Sequence, residues 1–254
     1  MLHIEQFICR TDNYGVLVHD PDSGETLVID APEEEAVVAA LERTGWTPTK
    51  LLITHHHGDH VAGNLGLKKR YGMPIVGPAA EADRIPGIDQ TVEEGDVVSL
   101  GAYSVDVFAT PGHTAGHISF YLPDAKLAFT GDTLFALGCG RLLECGPDVM
   151  FASLQKIAGW PRDTVVYCGH EYTQSNARFA LTVDPDNEAL RTRAAEVEHL
   201  RARNSMTLPT TIGDELDTNP FLRFQAPEVR KTLGMESAGD AEVFAAIRKR
   251  KDSF

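Results

Sequence analysis

Leu51-Leu52-Ile53-Thr54-His55-His56-His57-Gly58-Asp59-His60 decides how the rest of the chain is read. Leu51 to Thr54 is a brief apolar, β-capable run, and four of the next six positions are then imidazole and one is carboxylate. No packing requirement asks for that. Side chains two apart on an extended backbone point the same way, so His55 and His57 can grip one cation together, whereas His56 alternates away and reads as a non-ligand. Gly58 lets the chain turn sharply. Asp59 and His60 leave that turn in another direction, where they can serve a second cation beside the first. The stretch lies inside the chain, behind an apolar run, which is neither the place nor the spacing of a purification tag.

Working outward, residues 3–9, 14–19 and 26–29 are short β runs separated by Asp, Asn, Pro and Gly turns, the pattern of a meander. Pro32-Glu33-Glu34-Glu35 opens a helix with proline in its first turn and acids at the positive end of its dipole, and Gly45 stops it. Residues 61–71 predict a helix closed by Gly72, with Lys68, Lys69 and Arg70 near its C-terminus. Further strands are expected over 74–76, 96–99 and 104–109. The last runs into Thr110-Pro111-Gly112-His113-Thr114-Ala115-Gly116-His117, residues 126–130 run into Gly131-Asp132, and residues 164–167 run into Cys168-Gly169-His170. Counting the opening stretch, strand after strand delivers ligand-type residues just past its C-terminal end, an edge at which α/β domains gather binding sites. Asp148, before Val149-Met150-Phe151, reads as a helix N-cap. From about Thr173 the pattern turns helical, with amphipathic stretches at 187–204 and 241–251 and Pro209, Pro220 and Pro227 between them. Two domains are expected, 1–172 carrying the site and a smaller helical 173–254.

Composition bounds the function. At 254 residues the chain can bury a full core, and its formal charge of −14 argues against a nucleic-acid surface, which needs concentrated Lys and Arg. No apolar run approaches the ~18 residues of a membrane span, and Met1-Leu2-His3-Ile4-Glu5 lacks the features of a signal peptide, so the expected location is the cytoplasm, as a monomer. Cys9, Cys139, Cys145 and Cys168 show no Cys-X-X-Cys spacing and read as reduced thiols.

The set Thr54-His55-His56-His57-Gly58-Asp59-His60 with His113, Asp132 and His170 resembles the full ligand set of the metallo-β-lactamase superfamily. Within it the chain is most similar to the glyoxalase II, or hydroxyacylglutathione hydrolase, family. Thr11-Asp12-Asn13-Tyr14, Gly138-Cys139-Gly140-Arg141, Cys168-Gly169-His170-Glu171-Tyr172, Asn219-Pro220-Phe221 and the tail Ile247-Arg248-Lys249-Arg250-Lys251-Asp252 carry that similarity over essentially the whole chain. It implies an α/β fold, an αββα sandwich with metals at one edge of two packed sheets, and the helical C-terminal domain.

The resemblance also implies roles. His55, His57 and His113 would hold one metal, Asp59, His60 and His170 the other, and Asp132 would bridge them, with Asp59 and Asp132 orienting a bridging hydroxide that attacks a thioester. Two divalent ions per chain are implied, zinc first, with iron or manganese acceptable to the same donors. The substrate implied is a glutathione thioester, S-D-lactoylglutathione or another S-2-hydroxyacylglutathione, whose carboxylates Arg248 and Lys251 would hold, with Arg141 and Tyr172 lining the same groove. Asp30 and His117 are candidate partners that orient ligand imidazoles. One departure stands out: Arg141-Leu142-Leu143 replaces the family's frequent Lys/Arg-Phe-Tyr, removing a tyrosine hydroxyl contact worth on the order of 1 kcal/mol in binding. The alternatives are a glutathione persulfide dioxygenase, which uses fewer of these ligands, a lactonase or other hydrolase of this fold, and a catalytically silent metal-binding protein.

Overall fold

Apolar runs punctuated by Asp, Asn and Gly turns pair in the order in which they occur. Strands β1 (His3–Cys9), β2 (Asn13–His19) and β3 (Thr26–Ile29) form an antiparallel meander, with His3 opposite His19 and Val16 opposite Ile29. Helix α1 (Glu34–Thr44) then carries the chain over to β4 (Lys50–Leu52), which lies parallel to β3. After the short α2 (Gly58–Val61) and α3 (Asn64–Tyr71), β5 (Ile75–Pro78) and β6 (Gln90–Val92) extend the sheet in parallel, giving the order β1-β2-β3-β4-β5-β6. A second run, β7 (Val97–Leu100), β8 (Tyr103–Ala109), β9 (Ile118–Leu122) and β10 (Leu127–Gly131), is antiparallel throughout. The computed structural model describes all residues, Met1–Phe254.

These elements belong to one of two compact units, Met1–Ala109 with Gly116–Gly131. Its core is built from the first sheet, α1 and α3: Leu17, Val28, Leu51, Ile53 and Ile75 meet Val37, Ala40 and Leu41 of α1 and Leu67 of α3, all buried. The central parallel strands are apolar on both faces, the expected state of parallel strands covered by helices. The stretch after Leu52 therefore leaves the sheet from a buried interior strand.

The other unit is Thr110–Ala115 with Asp132–Phe254. It holds the hairpin β11 (Leu134–Phe135) and β12 (Gly138–Cys139), helix α4 (Pro147–Ala158), and β13 (Val165–Cys168). Helices α5 (Thr173–Val183) and α6 (Glu188–Arg201) follow, then β14 (Thr210–Thr211), which pairs with β13, and α7 (Ile212–Thr218), α8 (Pro227–Leu233) and α9 (Asp240–Asp252). Asn187 caps α6 by accepting the Leu190 N–H at 3.1 Å. Phe151, Phe221, Phe224 and Phe244 pack edge-on or tilted at 5.0–5.8 Å, so Phe244→Ala would cost about 3–5 kcal/mol.

Local expectations failed where a tertiary contact won. The helix expected over 61–71 is broken at Ala62 and Gly63, because Gly63 donates its N–H to Ala31 O at 2.9 Å and a side chain there would meet Ala31 and Glu34 at 3.0–3.3 Å. Pro32 lies outside α1, whose N-cap is Glu33. Asp148 sits in the first turn of α4; Gly146 is the cap and Pro147 takes the first helical position, where its missing N–H costs nothing. Strand β9 is not among the expected strands; it follows the His113–His117 run after a turn at Ala115 and Gly116.

Candidate metal centre

The parallel strand β4 ends at Leu52, and Thr54 is the first residue to make contacts outside the ladder. Asp30, buried and at φ +53°, faces it from the end of β3. Asp30 Oδ1 accepts the Thr54 N–H at 2.8 Å, and Oδ2 accepts both the Thr54 hydroxyl and His60 Nδ1–H at 2.9 Å. Thr54 Oγ1 is in turn 3.0 Å from His55 Nδ1. With the Thr54 proton given to Asp30, His55 Nδ1–H donates to Oγ1. One carboxylate therefore sets the tautomer of two imidazoles and turns a lone pair on each Nε2 away from the protein.

The other histidines of the stretch are held differently. His56 points away and is taken by Glu81, a buried carboxylate in the turn over 79–84, whose Oε2 accepts both the His56 N–H and His56 Nδ1–H at 2.7 Å. Glu81 Oε1 also accepts the Gly116 N–H at 2.9 Å. The backbone between His55 and His57 is thus pinned by a residue far along the chain. Asn13 Nδ2 donates to Asp59 Oδ2 at 3.0 Å and to Asp59 O at 3.1 Å. His117, fully buried, lies with its ring centroid 4.9 Å from that of His55.

The spacing of the heteroatoms suits cation binding. His55 Nε2 and His57 Nδ1 are 3.1 Å apart, and two nitrogens bound tetrahedrally to one ion at ~2.0–2.1 Å sit roughly 3.3 Å from each other. The donor atoms of His55 and His60, and of Asp59 and His60, also lie within 4.8 Å of one another.

The second unit presents its own set. Asp132 Oδ2 lies 3.3 Å from His113 Nε2 and 3.4 Å from His170 Nε2. Both distances exceed the ~2.7–2.9 Å of a charge-assisted hydrogen bond and match the separation of donors around a shared ion. His113 Nδ1–H donates to Arg141 O at 2.7 Å, which leaves Nε2 as the lone-pair nitrogen. His170 stacks on Tyr172 at 4.7 Å and 5°, with Phe135 edge-on to it at 6.1 Å.

The residues expected to meet a substrate divide into exposed and buried. Arg141 is exposed and Tyr172 is 38% exposed. Arg248 is buried: its guanidinium donates to Cys139 O at 3.0 Å and pairs with Asp252 at 2.8 Å, over the Phe221 ring at 5.2 Å. Lys251 Nζ lies between the rings of Phe179 and Phe254, at 5.2 and 5.1 Å. Burial, with the Arg248 charge beside it, pushes its ammonium down to about 8. Burial pushes the Cys139 thiol up to about 11, so it is no nucleophile at neutral pH.

Sequence reasoning missed Glu81 and the role of Asn13. Asn13 stood inside a motif already picked out, whereas Glu81 sits in Ala79-Ala80-Glu81-Ala82, where nothing distinguishes it from a solvated acid.

Comparison with known proteins agrees with this chemistry. The family model for the metallo-beta-lactamase superfamily matches residues 11–170, and that for the hydroxyacylglutathione hydrolase C-terminus matches residues 171–254. The hydroxyacylglutathione hydrolase of Mesorhizobium japonicum is 66% identical over 253 residues, covering 100% of this chain and 99% of that protein. That of Brucella anthropi is 62% identical over 253 residues, covering 100% and 97%. Among solved structures, TTHA1623 in a di-iron-bound form superposes with a TM-score of 0.62 at 26% identity, over 85% of this chain and 98% of that one. ETHE1 from Myxococcus xanthus shares the fold, with a TM-score of 0.67 at 24% identity over 99% and 100%. The expected fold class, mixed α/β sheets with a helical C-terminal region, is thus found, and its His and Asp groups are sites for divalent metal ions. On sequence and fold alike, the chain belongs to the hydroxyacylglutathione hydrolase family of the metallo-β-lactamase superfamily.

Proposed function

We propose that this chain hydrolyses S-2-hydroxyacylglutathione thioesters, S-D-lactoylglutathione first among them, to a 2-hydroxy acid and glutathione. The two donor sets would close on one binuclear centre: His55, His57 and His113 on one ion, Asp59, His60 and His170 on the other, and Asp132 shared. The observation that carries the reading is Asp132 Oδ2, placed at donor spacing from two imidazole nitrogens, 3.3 and 3.4 Å away, in a chain 66% identical to a hydroxyacylglutathione hydrolase.

When bound, such an ion pair supplies water activated at neutral pH and polarises an acyl carbonyl. The chain's own residues do the rest. Asp30 holds His60 directly and His55 through Thr54, Arg141 O holds His113, and Glu81 and Asn13 hold the backbone and carboxylate between them. These bonds keep the donors in one protonation pattern, so little reorganisation is needed during the reaction. Lys251 offers a cation for a glutathione carboxylate, and Arg248 shapes the groove beside it. The leaving group is a thiolate whose conjugate acid has a pKa near ~8.5, so departure needs no proton donor from the chain.

The same reading has the enzyme working as a cytoplasmic monomer on zinc, with iron or manganese acceptable to its donors. The test is loss of thioester absorbance with S-D-lactoylglutathione, beside oxygen uptake with glutathione persulfide. Rapid thioester loss without oxygen uptake is expected; oxygen uptake without thioester hydrolysis would overturn the proposal.

A further inference from the structure

The motif Asn219-Pro220-Phe221 takes no part in the chemistry above, yet Asn219 is fully buried and all its polar atoms are used. Its Nδ2 donates to Gly138 O at 2.9 Å, to Phe135 O at 3.2 Å and to Glu215 Oε2 at 2.9 Å, while Oδ1 accepts the Phe221 N–H at 3.0 Å. Glu215, also buried, accepts the Leu137 N–H at 2.7 Å on Oε2 and the Thr210 hydroxyl at 2.6 Å on Oε1. Asn176 Nδ2 donates to Ala136 O at 3.0 Å. Four of these bonds, two from Asn219 and one each from Glu215 and Asn176, reach the same target, the β11–β12 hairpin.

That hairpin turns through Ala136 and Leu137, and Leu137 sits at φ +58°, a left-handed conformation that a leucine adopts only when its surroundings enforce it. Here Glu215 takes its N–H, and the leucine side chain is buried among Ala177, Ala180, Leu190 and Ala194. At one root of the hairpin stands Asp132; at the other is Arg141, whose carbonyl orients His113. The two roots are locked together: Gly140 N–H donates to Thr133 O at 3.1 Å, and a side chain on Gly140 would collide with Asp132 O at 1.9 Å. A displacement of the hairpin therefore moves a carboxylate donor and the hydrogen bond of an imidazole donor at once.

We propose that Asn219, Glu215 and Asn176 are positioning residues: a buried polar clamp from the helices that holds the 132–141 loop so that Asp132 and His113 keep donor geometry. The inference rests on the metal-centre reading above. A clamp of this kind acts on metal retention and turnover, as outer partners of ligands do, and leaves the substrate's own contacts in place.

The experiment compares purified parent, Asn219→Asp, Asn176→Ala and Asn187→Ala. Asn219→Asp keeps the Phe221 bond but sets a carboxylate against Glu215 and two carbonyls. Asn176→Ala is the milder test should Asn219→Asp fail to fold. Asn187→Ala removes the cap of α6 and destabilises the helices while breaking no hydrogen bond to the hairpin. Metal loss to a chelator, kcat and KM are followed below the Tm of every variant, together with hydrogen exchange of peptides over 132–141. Asn219→Asp is expected to lose metal roughly 10- to 100-fold more readily, with kcat falling in step, KM nearly constant and faster exchange in the hairpin. Asn176→Ala should move the same way by a smaller factor, and Asn187→Ala should lower only Tm. Metal retention at the parent's level in folded Asn219→Asp, or in Asn176→Ala if that alone folds, overturns the clamp. So does equal loosening in Asn187→Ala. A parent that binds no metal overturns the metal-centre reading and the clamp with it, whereas a metal-bearing parent isolates the clamp as the point at issue.

Discussion

Replacing Asp30 by Asn changes one oxygen to an NH2 group and is expected to disturb two histidines. Asn tolerates the left-handed backbone at φ +53° nearly as well as Asp, so the effect is not backbone strain. The amide oxygen can keep the Thr54 N–H, bound at 2.8 Å, but the amide nitrogen then faces His60 Nδ1 and Thr54 Oγ1, each 2.9 Å away. An NH2 cannot accept from His60, which must move its proton to Nε2. It donates to Thr54 Oγ1, whose own proton is released toward His55 Nδ1, 3.0 Å off, and His55 switches too. Both nitrogens facing the ions would then carry hydrogen. Losing the charged acceptor costs about 1.5–3 kcal/mol of stability, and metal affinity should fall roughly 10- to 100-fold. Competition with a chromogenic chelator measures the second effect, and thermal melts of metal-free protein measure the first. Affinity within about threefold of the parent would refute the reasoning that Asp30 sets the tautomers.

Other consequences follow from single groups. Because the Lys251 ammonium is pushed down to about 8, KM for an anionic glutathione thioester should rise as pH climbs through that value with kcat changing less, and Lys251→Arg should flatten the rise in KM–pH profiles. Burial pushes the Glu215 carboxyl up from 4.5 to about 7, against the nearby Arg193 charge. Its contribution to stability is therefore full below about 4.5 and lost as pH rises through about 7, roughly 3 kcal/mol in all, so Glu215→Gln should melt with less pH dependence than the parent. A Gln there can still accept from Leu137 and Asn219 and donate to Thr210, so equal pH dependence in both proteins would count against this role. Glu81→Ala leaves the His56 and Gly116 N–H groups without their carboxylate and should cost several kcal/mol, read as a lower Tm with faster metal loss to chelator.

The sequence carried the residue types and their places at strand ends, because a run such as His55-His56-His57-Gly58-Asp59-His60 has no packing explanation and strand ends are where such residues collect. The meander, α1 and the parallel strands were legible for the same kind of reason: their apolar periodicity and turn residues are local. What orients the donors was legible only in part: Asp30 was expected and is found against Thr54 and His60, but the other residues that hold them were not. Glu81 reaches His56 from 25 positions away, and Asn219 reaches Gly138 from 81 positions away, so their roles exist only once the chain is folded. The break at Gly63 was hidden for the same cause, since the competing acceptor, Ala31 O, belongs to another strand end. Arg248 shows the limit from the other side. From the residues alone its charge near the C-terminus reads as a solvated helix end, and a carboxylate-holding role is implied only by the family resemblance; its burial against Cys139 O and Phe221 is a property of the fold.

The central claim is that seven side chains from two parts of the chain hold two ions that make it a thioesterase. Stripping the protein with a chelator and adding zinc back in known equivalents, while following S-D-lactoylglutathione hydrolysis, tests it most directly. Turnover that is absent in the stripped protein and saturates near two equivalents per chain is the expected result. Undiminished hydrolysis without metal, or saturation at one equivalent, would contradict it.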